Sequence, residues 1–339
     1  MSKQVRVGII GCGKIAEVDH VPGLKSAKAA RIVSLLDADR NRMQDLSKRF
    51  DLGARMYTDW DEFAASGLDA VVVCTPNHLH VPQTVTALKA GFHVLCEKPM
   101  AASTADATKA VDASRKAGKI LQINQTFRYW PMCQVMAQAI ADGAIGRPIH
   151  VRSFRCLAAT PDKGWSPGAR WFVSKAAQGG LVLDLGVHMT DLMQWLVGPV
   201  TDVAAKVDTL TEGIDVPDNV TALMRFENGA SGVLTMSWTM PCGGNVFEIF
   251  GTEGTLRTRF EGERPIEISR PGARGEKVTY PKVPKKAKNS QQAFIDAILG
   301  IAPSPTPGEL GRSAVALCEA IVQSGESGKF VKVKRFDTR

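Results

Sequence analysis

The sequence predicts an α/β chain: an N-terminal doubly wound parallel sheet, then an α+β domain with a large, mostly antiparallel, open-faced sheet. Three observations carry this. Up to Ile123, apolar runs such as Val5–Ile10 and Ala70–Cys74 alternate with helical stretches. A glycine turn, Gly8 to Ala16, joins the first run to the first helix. Beyond Val200, strand-like segments follow one another through turns such as Glu227-Asn228-Gly229, the signature of antiparallel hairpins.

Val5–Ile10 is read as the opening strand, with a helix from Lys14. Arg31–Leu36 is the next strand, closed by Asp37, and Asp39–Phe50 has helical spacing. Ala70–Cys74 is fully apolar and is broken by Thr75-Pro76-Asn77. His80–Ala90 reads as a helix stopped by Gly91, followed by strand His93–Cys96, helix Thr104–Ala117 and strand Ile120–Ile123. Continuous apolar strands separated by helices mean a parallel sheet covered on both faces. Further on come helix Met132–Asp142, strand Ile149–Cys156, a Pro-, Gly- and Trp-rich loop (158–180) and helix Gly186–Leu196. The later strands are Val200–Val207, Asn219–Phe226, Gly232–Met240, Val246–Gly251 and Thr255–Arg259, and helices at Gln291–Leu299 and Glu309–Gln323 finish the chain.

At 339 residues the chain is too long for one ordinary core, and two domains are expected, 1–123 and 124–339. Hydrophobic residues at 44% and charged residues at 22% are ordinary for a soluble globular protein. No run of 18 apolar residues occurs, and the N-terminus enters a strand without a signal segment, so a cytoplasmic protein without membrane partners is expected. Seven scattered cysteines (12, 74, 96, 133, 156, 242 and 318) form no C-x-x-C pair, which fits reduced, mostly buried thiols and argues against both a disulfide framework and a zinc site. The net charge of +8 is modest; its densest piece, Lys282–Lys288, reads as a solvated loop, and the basic stripe that nucleic acid would need is missing. The positive field suits an anionic cofactor or substrate.

Gly11, Gly13 and Ala16 form G-x-G-x-x-A between strand and helix. Gly11 serves the tight turn, Gly13 the close approach of a pyrophosphate, and Ala16 the packing of helix on strand. The helix start, Lys14 and Ile15, offers N–H groups to phosphate. A tight turn with no ligand would share this motif. Here Asp37 ends the second strand 21 residues after Ala16, placed to accept from an adenosine ribose diol and to repel a 2′-phosphate. That favours NAD over NADP, although Arg40 and Arg42 soften the repulsion. Gly8, Gly13 and Lys14 also have P-loop spacing, but Ile15 stands where the Mg²⁺-binding hydroxyl belongs, which excludes a nucleotidase.

Val94-Leu95-Cys96-Glu97-Lys98-Pro99 sets a lysine at the carboxyl end of a buried parallel strand, where such sheets bind ligands. A charged pair closing a strand is usually a solvated turn; here Lys98 is also suited to polarise a substrate oxygen. Asp184 and His188 are four apart and share a helical face. They read either as an N-capping acid and a core histidine or as a proton-handling imidazole beside a carboxylate.

With these pieces in order, the chain resembles the glucose–fructose oxidoreductase / inositol dehydrogenase (Gfo/Idh/MocA) family over essentially its full length. The matching pieces are Gly8–Ala16, Asp37, Cys74–His80, Ala90–Pro99, Gly143–Pro148 and Gly179–His188. The resemblance implies Lys98, Asp184 and His188 as the catalytic group, with Thr75, Asn77, His80 and Glu97 lining the cofactor beside Lys98. It implies sugar or cyclitol substrates and a homodimer or homotetramer formed through the C-terminal sheet; no metal is expected. Arg170-Trp171 inverts the Trp-Arg order common in the family, so their individual roles stay open. Arg128, Tyr129, Trp165, Arg170 and Trp171 supply the hydrogen-bonding and aromatic groups a polyol site needs, and Arg128 or Arg170 could meet an anionic group such as a uronate. The leading reading is oxidation or reduction of a secondary hydroxyl. Alternatives are an NAD-dependent glycosidase or lyase working by transient oxidation and elimination, and a non-catalytic sensor of NAD and sugar.

Overall fold

A computed structural model describes residues 4–241 and 244–336. The chain divides into two compact units, Met1–Gln125 with Lys288–Arg312, and Thr126–Ala287 with Ser313–Arg339.

The first unit holds six parallel strands: β1 (Val5–Ile10), β2 (Ala30–Leu36), β3 (Arg55–Tyr57), β4 (Ala70–Val73), β5 (His93–Cys96) and β6 (Leu121–Ile123). Their order, β3-β2-β1-β4-β5-β6, is that of a doubly wound sheet whose direction of winding reverses between β1 and β4. Val7, Ile9, Val71, Val72 and Leu95 are wholly buried, as expected for strands covered on both faces. The first helix opens at Lys14 and Ile15, passes through a π turn, Ala16–His20, and continues as Val21–Ser26. The next is capped by Asp39, whose side chain accepts from Asn41 N. The short strand β3 and the helix Trp60–Ala64 were not foreseen.

The expected boundary needs correcting for 288–312, which returns to the first unit. There Thr306 and Ile123 exchange two bonds: Ile123 N donates to the Thr306 carbonyl at 2.9 Å, and Thr306 Oγ1 donates to the Ile123 carbonyl at 2.7 Å. Gln122 Nε2 donates to Ser290 O at 2.9 Å, and Phe294 and Ile295 are buried in the first core. The returning segment thus covers β6, an edge strand that would otherwise expose unpaired backbone.

The second unit is a nine-stranded sheet of β7 (Pro148–Cys156), β8 (Val200–Asp208), β9 (Asn219–Phe226), β10 (Ser231–Ser237), β11 (Asn245–Gly251), β12 (Thr255–Thr258), β13 (Ile266–Gly272), β14 (Gly275–Thr279) and β15 (Val331–Lys332). Its order is β14-β13-β12-β11-β7-β10-β9-β8-β15, antiparallel throughout except where β7 lies beside β10. The sequence reading missed β13, β14 and β15. On β9, Val220, Ala222 and Met224 are buried while Thr221, Leu223 and Arg225 are exposed, the alternation of a sheet with one covered face. A second π turn, Val182–Gly186, runs into helix Val187–Leu196.

Six cysteines are free and buried, with burial raising the thiols of Cys12, Cys96, Cys133 and Cys318 to about 12. Cys242 lies outside the described residues. Among the described residues, no helix is long and apolar enough to cross a membrane.

Candidate active site

In the first unit, the carboxyl ends of β2, β1, β4 and β5 lead in turn to Asp37, the Gly11–Gly13 turn, Thr75 and Lys98. These strands are adjacent, so the four positions line one sheet edge at steps of about 4.8 Å per strand. Gly11 has φ of 91°, and a Cβ there would meet the Cys74 carbonyl oxygen at 2.9 Å. A Cβ on Gly13 would meet nothing within 4 Å, so the space beside that turn is open to a ligand. Lys14 and Ile15 follow at the positive end of the helix, and Lys14 also lies 3.7 Å from Glu17. Asp37 Oδ2 accepts from Cys12 N at 2.7 Å and Oδ1 from Asp39 N at 2.9 Å, which ties its carboxylate to the glycine turn. Each oxygen keeps a second lone pair for a ribose hydroxyl. These residues fit a dinucleotide.

Lys98 stands over a buried network that the sequence did not reveal. Glu97 Oε2 accepts from Lys98 N at 3.0 Å, while Oε1 lies 2.8 Å from His20 Nε2 and accepts from Asn124 Nδ2 at 2.6 Å. Asn124 also donates to Asp19 Oδ2 at 2.9 Å, as does Gln291 Nε2 at 3.0 Å. Glu97, expected to line the cofactor, is 5% exposed and fixes the backbone that carries Lys98. Its only sequence signal would have been His20, one helical turn beyond Ala16. One ligand atom from each of Asp19, His20 and Glu97 lies within 4.8 Å of the others. Amide nitrogens point at the same oxygens, however, which makes a hydrogen-bond network a better description than a cation cage.

Burial opposes charge on His20, but the hydrogen bond and charge of Glu97 outweigh it and raise its pKa above the ordinary 6.5. Burial likewise opposes ionisation of Glu97, and His20, Asn124 and Lys98 outweigh it, bringing its pKa below 4.5. A raised histidine stabilises the fold below its unfolded pKa and loses that contribution as pH rises through the folded value; a depressed carboxylate loses its contribution as pH falls. The stability difference between wild type and His20→Gln should therefore be greatest between 4.5 and 6.5 and shrink on either side. Denaturant titrations across pH test this, and a difference constant from acid to alkaline pH would refute the charged pair.

His80 is also held inside the fold. It is 1% exposed, with Nδ1 2.7 Å from Pro99 O and Nε2 2.7 Å from Thr75 O. Burial lowers its pKa against the pull of both carbonyls, and as a neutral imidazole it donates to one of them, which ties it to a strand end. Thr75 Oγ1 donates to Gln83 Oε1 at 2.6 Å, and Asn77 opens helix Asn77–Lys89.

In the second unit, Asp184 lies in the π turn and His188 in the first turn of the following helix. Phe127 stacks on His188 at 5.0 Å between ring centroids, with Trp130 4.5 Å and Phe260 5.5 Å from Phe127. Arg128 does not reach outward from this aromatic group. Its Nε and Nη2 donate to Asp191 at 2.8 to 3.1 Å, its guanidinium carbon lies 5.0 Å from the Trp195 ring, and its side chain is 10% exposed. Arg170 bonds Asp162 Oδ2 at 2.9 Å and Gly213 O at 3.0 Å, Trp171 stacks on Phe172, and Tyr129 is buried. Trp165 is about half exposed in its loop. Arg155, absent from the expected set, points into the aromatic group; its signal was its parity with buried Val151 and Ser153 on β7.

A sheet edge that fits a dinucleotide and ends in a lysine is the arrangement expected of a nucleotide-dependent oxidoreductase. Residues 5–125 match the oxidoreductase family with an NAD-binding Rossmann fold, and residues 133–257 match the GFO/IDH/MocA C-terminal domain. The chain belongs to the Gfo/Idh/MocA family of NAD-dependent oxidoreductases. It is 30% identical to 1,5-anhydro-D-fructose reductase of Ensifer adhaerens, over 97% of this chain and 98% of that one. It is 30% identical to D-apiose dehydrogenase of Paraburkholderia graminis, over 99% and 91% respectively. The structure of GenD2 from gentamicin A biosynthesis, in complex with NAD, is similar with a TM-score of 0.84 at 27% identity, covering 99% of this chain and 98% of that one.

Proposed function

We propose that this protein interconverts a secondary hydroxyl and a ketone on a sugar, sugar derivative or cyclitol, with NAD favoured over NADP. The observation that carries the reading is the row Asp37, Gly11–Gly13, Thr75, Lys98 along one sheet edge. Two relatives named for sugars support the substrate class. In this reading Asp37 holds the adenosine ribose, Gly11, Gly13 and the N–H groups of Lys14 and Ile15 hold the pyrophosphate, and Thr75 and Asn77 flank the path toward Lys98. Bound NAD⁺ supplies the acceptor for the hydride leaving the alcohol carbon. His188 takes the hydroxyl proton, Asp184 orients it or binds substrate, and the Lys98 ammonium stabilises negative charge on the oxygen as C–O becomes C=O. Trp165, Arg170 and Trp171 border the substrate.

A panel of sugars and cyclitols, followed at the NADH absorbance with NAD and NADP and with products identified, tests this. The expected result is a ketone with one NADH per turnover and higher kcat/KM with NAD. Cleaved or eliminated products without net NADH would replace the reading with the glycosidase or lyase alternative.

The same proposal includes a cytoplasmic location, supported by the free, buried thiols and checked by cell fractionation. It also includes a homodimer or homotetramer formed through the second sheet, whose open face presents Leu223 at 46% exposure with half-buried Phe154, Val233, Val246 and Phe250. A light-scattering mass of a single chain at micromolar concentration would contradict it.

A further inference from the structure

Arg155 sits near the end of β7, the central strand of the second sheet, opposite Met236 of β10 on the covered side. Its guanidinium carbon is 5.9 Å from the Phe127 ring centroid and 5.8 Å from that of Phe260. Phe127 in turn stacks on His188, so a single ring separates this cation from the proposed proton-handling imidazole. The π turn carrying Asp184 packs beside it: a Cβ on Gly186 would lie 3.1 Å from Met236 Cε.

Neighbouring arginines are committed, Arg128 to Asp191, Arg152 to Glu248 and Arg170 to Asp162. Arg155 differs. Among the described residues, no carboxylate lies within ion-pair distance of its guanidinium and no hydrogen bond runs from that group to an acceptor. Burial opposes its charge and lowers its pKa, and the more distant Asp184 only partly offsets this. A half-buried guanidinium that meets no acceptor among the described residues is costly to a fold, because its donors turned toward ring faces have left water. The planar fork matches a carboxylate, and aromatic walls suit the C–H faces of a sugar ring.

We propose that Arg155 recognises a carboxylate on the substrate, so that the preferred substrates are sugar acids, such as uronates or aldonates, rather than neutral sugars. This rests on the oxidoreductase reading above and narrows it.

The test compares kcat/KM with NAD for matched pairs that differ only in carboxylate against hydroxymethyl: D-glucuronate with D-glucose, D-galacturonate with D-galactose, and D-gluconate with D-glucitol. Wild type should prefer the acid of its best pair by tenfold or more. Removing one partner of a desolvated charge pair costs on the order of 30- to 1000-fold. In Arg155→Met, which keeps much of the side-chain volume, the acid-to-neutral ratio should fall by about that factor, chiefly through KM. Arg155→Lys should recover part of it, keeping the charge without the fork. Equal or better turnover of the neutral partner by wild type would overturn the proposal. So would an equal loss on both partners in Arg155→Met, which would reduce Arg155 to a group supporting Asp184 or the aromatic packing. If no member of any pair reduces NAD, while other secondary alcohols do, the carboxylate proposal fails and the oxidoreductase reading stands; if no alcohol does, both fail.

Discussion

Lys98→Met and His188→Ala should each lower turnover by on the order of 10² to 10⁴ while NAD binding stays near wild type. The expectation follows from where each residue sits. Lys98 ends the row of strand-end positions on the first sheet, and Glu97 fixes its backbone from the buried side. The glycine turn and Asp37, which carry most of the expected contact with the dinucleotide, belong to other strands and stay intact in Lys98→Met. Loss of the ammonium should therefore appear in the chemical step. His188→Ala removes an imidazole stacked on Phe127, so a modest loss of stability is expected beside the loss of rate. Isothermal titration with NAD, thermal melts and single-turnover NADH formation separate the three effects. Wild-type turnover in either variant would remove that residue from the mechanism and leave it a structural role.

The elements legible in the sequence were those whose signal is local. The strand–glycine–helix passage from Val5 to Ala16 declares itself, because a doubly wound sheet and a pyrophosphate both require glycine and small residues there. Lys98 was legible because an apolar strand ends in Glu-Lys-Pro. The roles of Glu97 and His80 were not, since their partners are fixed by tertiary structure: Gln291, 271 residues from His20, shares its network, and Pro99 O meets His80 only once β4 and β5 are paired. The hairpin β13–β14 was missed because Pro271, Gly272 and Gly275 read as loop; Pro271 and Gly272 are tolerated at the end of β13, past its pairing with β12, and Gly275 opens β14, an edge strand. The return of 288–312 rests on contacts of Thr306 and Ser290 with the end of β6, which leave no periodic trace. Among the arginines, sequence spacing cannot tell a paired guanidinium from a free one. Arg128 seemed open to ligand only because Asp191 is 63 residues away.

That pair carries the largest expected effect on stability: Asp191→Ala should cost about 3–5 kcal/mol. Asp191 is 2% exposed and accepts three bonds from Arg128, at 3.1, 2.8 and 2.9 Å. Burial nevertheless raises the Asp191 pKa, more than the charge and hydrogen bonds of Arg128 lower it. The pair is thus expensive to bury, and its partners are intolerable apart, because truncating Asp191 leaves a buried guanidinium beside the Trp195 ring with no carboxylate partner among the described residues. A double variant, Arg128→Met with Asp191→Leu, should regain most of the stability, since apolar groups of similar volume avoid the desolvation cost altogether. Activity should not return with it. Arg128 belongs to the turn Thr126–Tyr129 that holds Phe127 against His188, and Asp191 lies on the helix that holds His188 itself. The ion pair fixes one to the other in a way that flexible apolar side chains cannot. Urea denaturation of both variants, with kcat measured on the same preparations, checks the two halves separately. A double variant as unstable as Asp191→Ala would mean that packing, not an unpaired charge, sets the cost, and full activity in it would show that His188 needs no such clamp.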